Sequence, residues 1–203
     1  VNGSTLIEEH IAGIPGDVFI EKYLDDCTPA EQAQIAKEYV KFNERSMIRL
    51  LGDMRAYNYV VIPTHDFDKV IYQIRAIDFD QQSFEGKLMV YRPQFFKENY
   101  PMISVVKDKL SADSIIQYKI EERSILAKRI LSAGKRLNKL MKIMNVDRVS
   151  KPENIENLSK ELYKFTKDDA FQTCTRMGEV MHASFSFVLR NYKNMNLTNL
   201  MKS

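Results

Sequence analysis

Apolar and polar positions along the chain change period several times, and each change predicts an element. Thr28-Pro29-Ala30-Glu31 forms a capping box with proline at the first helical position, the threonine oxygen accepting an orphan backbone N–H while Glu31 reaches back. Ile35, Tyr39, Phe42 and Ser46/Met47 follow at three- and four-residue spacing. They predict an amphipathic helix running to about Leu50 and ended by Gly52. The period then shortens. Tyr57 to Ile62 is β-branched and aromatic and predicts a strand, Pro63 to Asp68 a turn, and the alternation from Val70 to Ile77 a returning strand. Together they make a hairpin with a longish loop.

The flanks are less regular. Thr5 to Ile7 is a short apolar segment, and the glycines and proline of Ile11 to Asp17 mark a loop. Val18 to Leu24 fits a short strand or a brief helical turn equally well. Gln81 to Pro101 is aromatic and loop-rich, with short helical turns around Pro93 to Asn99. Ser111 caps a long helix reaching roughly Asn145, where Gly134 marks a kink or a close crossing. Pro152 separates it from a helix at about 153–166, and a last helix spans about 168–191. No segment after Asp80 alternates persistently, so 81–203 should be helix and loop. The fold class is therefore α+β and mainly helical, with a small β-hairpin.

Composition narrows this picture only a little. The 203 residues are 44% hydrophobic and 28% charged, ordinary for a globular chain that buries a core. A net charge of +3 is too small to imply nucleic acid or membrane as partners, and no apolar run is long enough for a membrane span. Cys27 and Cys174 are far apart and, with the scattered His10, His65 and His182, give no metal-ligand spacing. Idle thiols fit a reducing compartment, hence a cytoplasmic protein. The basic residues from Lys128 to Arg148 read as a solvated helix face rather than a nucleic-acid surface. Asp66 and Asp68 read as turn residues with no chemistry assigned.

One ordered set of residues points to chemistry. A capped helix leads into Gly52-Asp53, Asn58 lies five residues after Asp53, two strands follow, and Ile77-Asp78-Phe79-Asp80 closes the unit. Phosphoryl transfer needs a carboxylate near the acceptor hydroxyl and oxygen ligands for magnesium on the polyphosphate, and a loop followed by a hairpin can bring such groups together. This order resembles the C-terminal lobe of kinase-like phosphotransferases, in particular the aminoglycoside and choline kinase branch or an atypical kinase.

The resemblance implies roles. Asp53 would be the catalytic base or acceptor-orienting residue, and Arg55 would neutralise charge on the transferred phosphate. Asn58, Asp78 and Asp80 would hold Mg2+, and Glu9 and Ile11, in a segment similar to the hinge of that branch, would contact ATP. Partners would be ATP and an unnamed acceptor. Leu51-Gly52 stands where protein kinases carry His-Arg, Asp80 stands where they carry Gly, and no Ala-Pro-Glu follows. The phosphate loop, the strand lysine and its glutamate partner belong to an N-terminal lobe expected upstream of Val1. On this reading 1–203 is one lobe: 1–27 the hinge and start, 28–80 the helix, catalytic loop, hairpin and metal loop, and 81–203 the helical body. Two alternatives stay open: a kinase-shaped binding module without catalysis, and an unrelated α+β interaction domain in which Asp53, Asn58 and Asp78 are local caps.

Overall fold

A computed structural model of the chain describes residues 10–67, 69–79, 81, 93–147 and 151–167. Its elements are β1 (Ile14–Pro15), α1 (Gly16–Lys22), α2 (Pro29–Ile48), β2 (Tyr59–Asp66), β3 (Lys69–Ala76), α3 (Tyr100–Lys109), α4 (Ala112–Ser132), α5 (Gly134–Asp147) and α6 (Pro152–Lys167). The described chain is mainly helical around one small antiparallel sheet of order β1-β2-β3. The α+β expectation holds. Beyond β3 the described residues are helix and loop, as the lost alternation predicts. The Thr5–Ile7 segment and the helix expected at 168–191 lie outside the described residues.

Helix α2 is the organising element. Its capping box forms as the sequence requires, with Thr28 Oγ1 accepting from the Glu31 N–H and the Glu31 carboxylate accepting from the Thr28 N–H. One face buries Ile35, Tyr39, Phe42 and Met47. Another face runs along β3. Gln34 Oε1 accepts from the Tyr72 N–H at 3.0 Å, Glu38 Oε1 accepts from the Ile74 N–H at 3.1 Å, and Arg45 donates to the Ile74 carbonyl at 3.0 Å. Four helical residues rise roughly 6 Å and two strand residues roughly 7 Å, so Gln34 and Glu38 meet successive outward N–H groups. The helix thus satisfies a sheet edge that would otherwise be open to pairing.

Several details differ from the sequence expectations. Val18 to Leu24 belongs largely to helix α1, with Phe19 buried edge-on to Tyr72 at 5.7 Å. The Gly/Pro stretch before it is not simply a loop, because Ile14 and Pro15 pair with Val61 and Val60 and add a third strand. Its glycines are close-approach positions. A Cβ at Gly16 would collide with the Tyr59 ring and the Ala56 carbonyl, and one at Gly13 would crowd Val60.

The hairpin is longer and tighter than expected: the ladder runs from Tyr59↔Ala76 out to Asp66↔Lys69, with Pro63 inside it. Proline is tolerated there because β1 covers β2 only at Val60 and Val61. Helix α3 was hidden by reading Pro101 as a loop residue, although proline in a first turn favours a helix. The helix after Ser111 breaks at Ala133 into α4 and α5, and a Cβ at Gly134 would meet no neighbouring element within 4 Å among the described residues, so a kink rather than a close crossing explains that glycine.

Gly52 does not end α2. The helix closes at Leu50, whose φ of 49° is left-handed, with Leu50 N–H to Met47 and Leu51 N–H to Ser46 carbonyls. This is a Schellman turn built on leucine instead of glycine. The Leu50 side chain is buried with Met47, Leu158 and Leu162, and that burial offsets the backbone cost of about 1–2 kcal/mol.

Candidate functional site

The loop after α2 is anchored by the core rather than laid over it. Leu51, Met54 and Ala56 are almost fully buried, and a 3-10 turn over Ala56–Asn58 leads into β2. Between these anchors Asp53 takes a left-handed conformation, φ 52°, which aspartate tolerates better than most residues. Its carboxylate is half-buried and accepts from Arg55 Nε at 2.9 Å. Arg55 donates in turn to Glu98 Oε1 at 3.0 Å and lies 4.8 Å over the Phe96 ring. Burial works against the Arg55 charge, but the hydrogen bond to Asp53 and the surrounding anions more than offset it, and its pKa rises. Glu98 Oε2 is sheltered from solvent and accepts no hydrogen bond among the described residues.

Asn58 is buried and does something specific. Its Nδ2 donates to the Asp53 carbonyl at 2.8 Å, pinning the two ends of the loop together. Only the nitrogen of an amide can donate to a carbonyl, so this bond fixes which way the group is turned and leaves Oδ1 as its remaining acceptor. The Asn58 carbonyl accepts from the Ile77 N–H at 3.1 Å, one step beyond the Tyr59↔Ala76 pair. The hairpin therefore returns the chain so that Asp78 directly follows the residue bonded to Asn58. Asp53, Asn58 and the Asp78 backbone are gathered at one end of the hairpin.

Arg55 is engaged by two carboxylates. Ile11 is half-buried and lines a cleft together with Phe79, the residue after Asp78. Glu9 and Asp80 lie outside the described residues, as do Phe84 and Tyr91 of the aromatic stretch. Among the described residues no three His, Cys, Asp or Glu side chains cluster to hold a metal on their own. Magnesium does not need such a cage. It binds through one or two protein oxygens, with water and substrate phosphate completing an octahedron, and an Asn amide oxygen beside an aspartate suits that donor set.

Asn99 is the residue that sequence reasoning missed. It is fully buried, accepts from the Tyr59 hydroxyl at 2.9 Å and donates to the Met54 and Pro93 carbonyls at 3.0 and 2.7 Å. Burial raises the pKa of that hydroxyl, so it remains a donor. One amide thus joins the loop, the start of β2 and the segment before α3. The signal was an Asn just ahead of Tyr100-Pro101, which reads as a helix cap. The side chain makes no cap bond because it is turned inward.

Among the described residues no helix is long and apolar enough to cross a membrane. In comparisons with known proteins the chain matches no family model, no curated protein and no solved structure.

Proposed function

We propose that this chain is the C-terminal lobe of a kinase-like phosphotransferase that works on ATP with magnesium. The observation that supports it most is the Asn58–Asp53 hydrogen bond at the root of a hairpin that brings Asp78 back beside Asn58. A pair of local caps would not require the amide nitrogen to be committed across the loop and the far strand to end against the same residue. Asn58 Oδ1 and Asp78 would hold the magnesium, with Asp80 as a further donor. Such a metal would supply neutralisation of the phosphate charge.

The chain's own contribution is positioning. The left-handed backbone at Asp53 and its buried neighbours set the carboxylate at the rim of the loop, where it orients an acceptor hydroxyl and takes its proton. Arg55 keeps a permanent cation beside that carboxylate. A second reading, a kinase-shaped binding module, is favoured by one feature: the Asp53–Arg55–Glu98 chain occupies the carboxylate that catalysis would use.

Phosphotransfer by the full-length polypeptide separates the readings. A working enzyme turns over ATP, and Asp53→Asn lowers the rate by about a hundredfold or more, the scale of a lost general base, with nucleotide affinity unchanged. Magnesium-dependent ATP binding without turnover identifies the binding module. Neither binding nor turnover leaves the unrelated interaction domain.

A further inference from the structure

Helix α5 meets the rest of the molecule along one narrow stripe. Leu137, Met141 and Met144, at four- and three-residue steps, pack half-buried against the cluster of Met47, Leu50, Leu158 and Leu162. None of its described side chains is fully buried. Leu140, Ile143 and Val146 stand off that stripe and expose 47%, 44% and 76% of their surfaces. At about 3.6 residues per turn, Val146 lies roughly opposite Leu137. The outward side also carries charge. From Lys128 to Val146 the chain has six cationic residues and no acidic one, although its net charge is only +3. Among the described residues Lys135, Arg136, Lys139 and Lys142 are all exposed and enter no ion pair. Arg136, Lys139, Ile143 and Val146 follow one another at three- or four-residue steps, as do Lys135, Lys139, Lys142 and Val146. Cations and bulky apolar side chains therefore interleave on one face.

Water solvates the cations of such a face readily, but it does not account for the apolar side chains among them, which gain by leaving it. A nucleic-acid backbone answers only the charge. A second copy of the same face repels the first. A protein partner favours arginine, whose fork matches carboxylates, whereas three of these four cations are lysines, which protein interfaces avoid. A bilayer with anionic lipids answers both halves. Its headgroups meet the ammonium and guanidinium ions, and the acyl boundary just beneath takes the apolar side chains. Lysine stems are long enough to lie along apolar neighbours while their heads stay among the headgroups.

We propose that α5 docks this protein on an anionic bilayer surface, with Ile143 and Val146 at the acyl boundary and Lys135, Arg136, Lys139 and Lys142 among the headgroups. At 14 residues and with four cations, the helix lies along the surface and does not span it. None of these residues belongs to the Asp53–Asn58 loop or to the hairpin, so the proposal stands apart from the phosphotransfer reading.

The test is co-sedimentation of the full-length protein with vesicles of roughly one part phosphatidylserine to two parts phosphatidylcholine, and with phosphatidylcholine alone. Binding is expected on the anionic vesicles only, and it should fall as added salt screens the charges. Lys139→Gln with Lys142→Gln should weaken it about twentyfold, at roughly fivefold per cation. Ile143→Ser with Val146→Ser should weaken it about tenfold with the charge unchanged. Lys22→Gln with Lys109→Gln, which removes two exposed cations from α1 and α3, should bind like the parent. All the substituted positions are exposed, so the variants should fold. If thermal melts show the apolar double variant destabilised, Val146→Ser alone takes its place and should still weaken binding. Absence of sedimentation, equal binding to both vesicles, equal losses from Lys22 and Lys109, or no loss from the apolar variants would each overturn the assignment. So would binding to soluble polyglutamate as tight as to vesicles, which points to an acidic protein. Self-association lost with the same substitutions, without vesicle binding, would overturn it in favour of a second copy.

Discussion

The Glu44–Lys119–Arg123 cluster and the Asp53–Arg55–Glu98 cluster share their chemistry and differ in their surroundings. In the first, Glu44 lies between α2 and α4 and accepts from Arg123 Nε at 2.6 Å, with Lys119 Nζ 3.4 Å from its other oxygen. All three side chains are buried. In the second, the Asp53, Arg55 and Glu98 side chains keep a quarter to a third of their surface. A buried ionic cluster can only hold its elements in register, because moving one charge strands the others in low dielectric. A half-exposed cluster can exchange partners with water or ligand at little cost. One cluster fixes the fold, and the other sits where the loop chemistry is proposed.

That contrast breaks most visibly at Glu44. Glu44→Ala removes the carboxylate that a buried lysine and arginine face and should cost about 3–5 kcal/mol in urea unfolding. A loss below about 1 kcal/mol would show that the cluster is wetter than its burial implies. Asn99→Ala comes next, at about 2–3 kcal/mol, since it removes the acceptor of the buried Tyr59 hydroxyl and a donor to the Met54 and Pro93 carbonyls, of which Pro93 keeps the Phe96 N–H. The same substitution should lower the protection of the Asp53–Asn58 loop against hydrogen exchange, which a mere packing defect near α3 would not do. Arg55→Gln should change stability by less than about 1 kcal/mol. A loss as large as that at Glu44 would erase the distinction between the clusters.

How much of this was legible beforehand follows from the range of each interaction. The capping box of α2, its buried face and the return of the hairpin are encoded within a few residues, and they were readable. Leu50 was not. Its left-handed turn is stabilised by Leu158 and Leu162, more than a hundred positions away, whereas Gly52 carried the local signal and lies in no left-handed turn. Asn58 stood out by its spacing from Asp53, but its hydrogen bond to that residue's carbonyl could not be inferred from spacing. Arg55 was given a phosphate to face, and nothing in its own neighbourhood of sequence announced Glu98 and Phe96.

The smallest expected effect concerns the helix that leads into the loop. Hydrogen bonds from Thr28, and then from the Tyr72 hydroxyl, hold the Glu31 carboxyl below its ordinary range. A depressed pKa adds stability that is fully present above the unfolded value of about 4.3 and is lost as pH falls through the folded one. Glu31→Gln should therefore melt lower than the parent at pH 6, with the difference shrinking towards pH 3. A difference independent of pH would assign the effect to packing.

The central claim, that Asn58 and Asp78 share a cation bound to nucleotide phosphates, is tested most directly by calorimetry of ATP on the full-length polypeptide, with magnesium and with EDTA. The parent should bind more tightly with magnesium, Asp53→Asn should keep that gain, and Asp78→Ala should lose it. Equal ATP affinity with and without magnesium in all three proteins would contradict the claim.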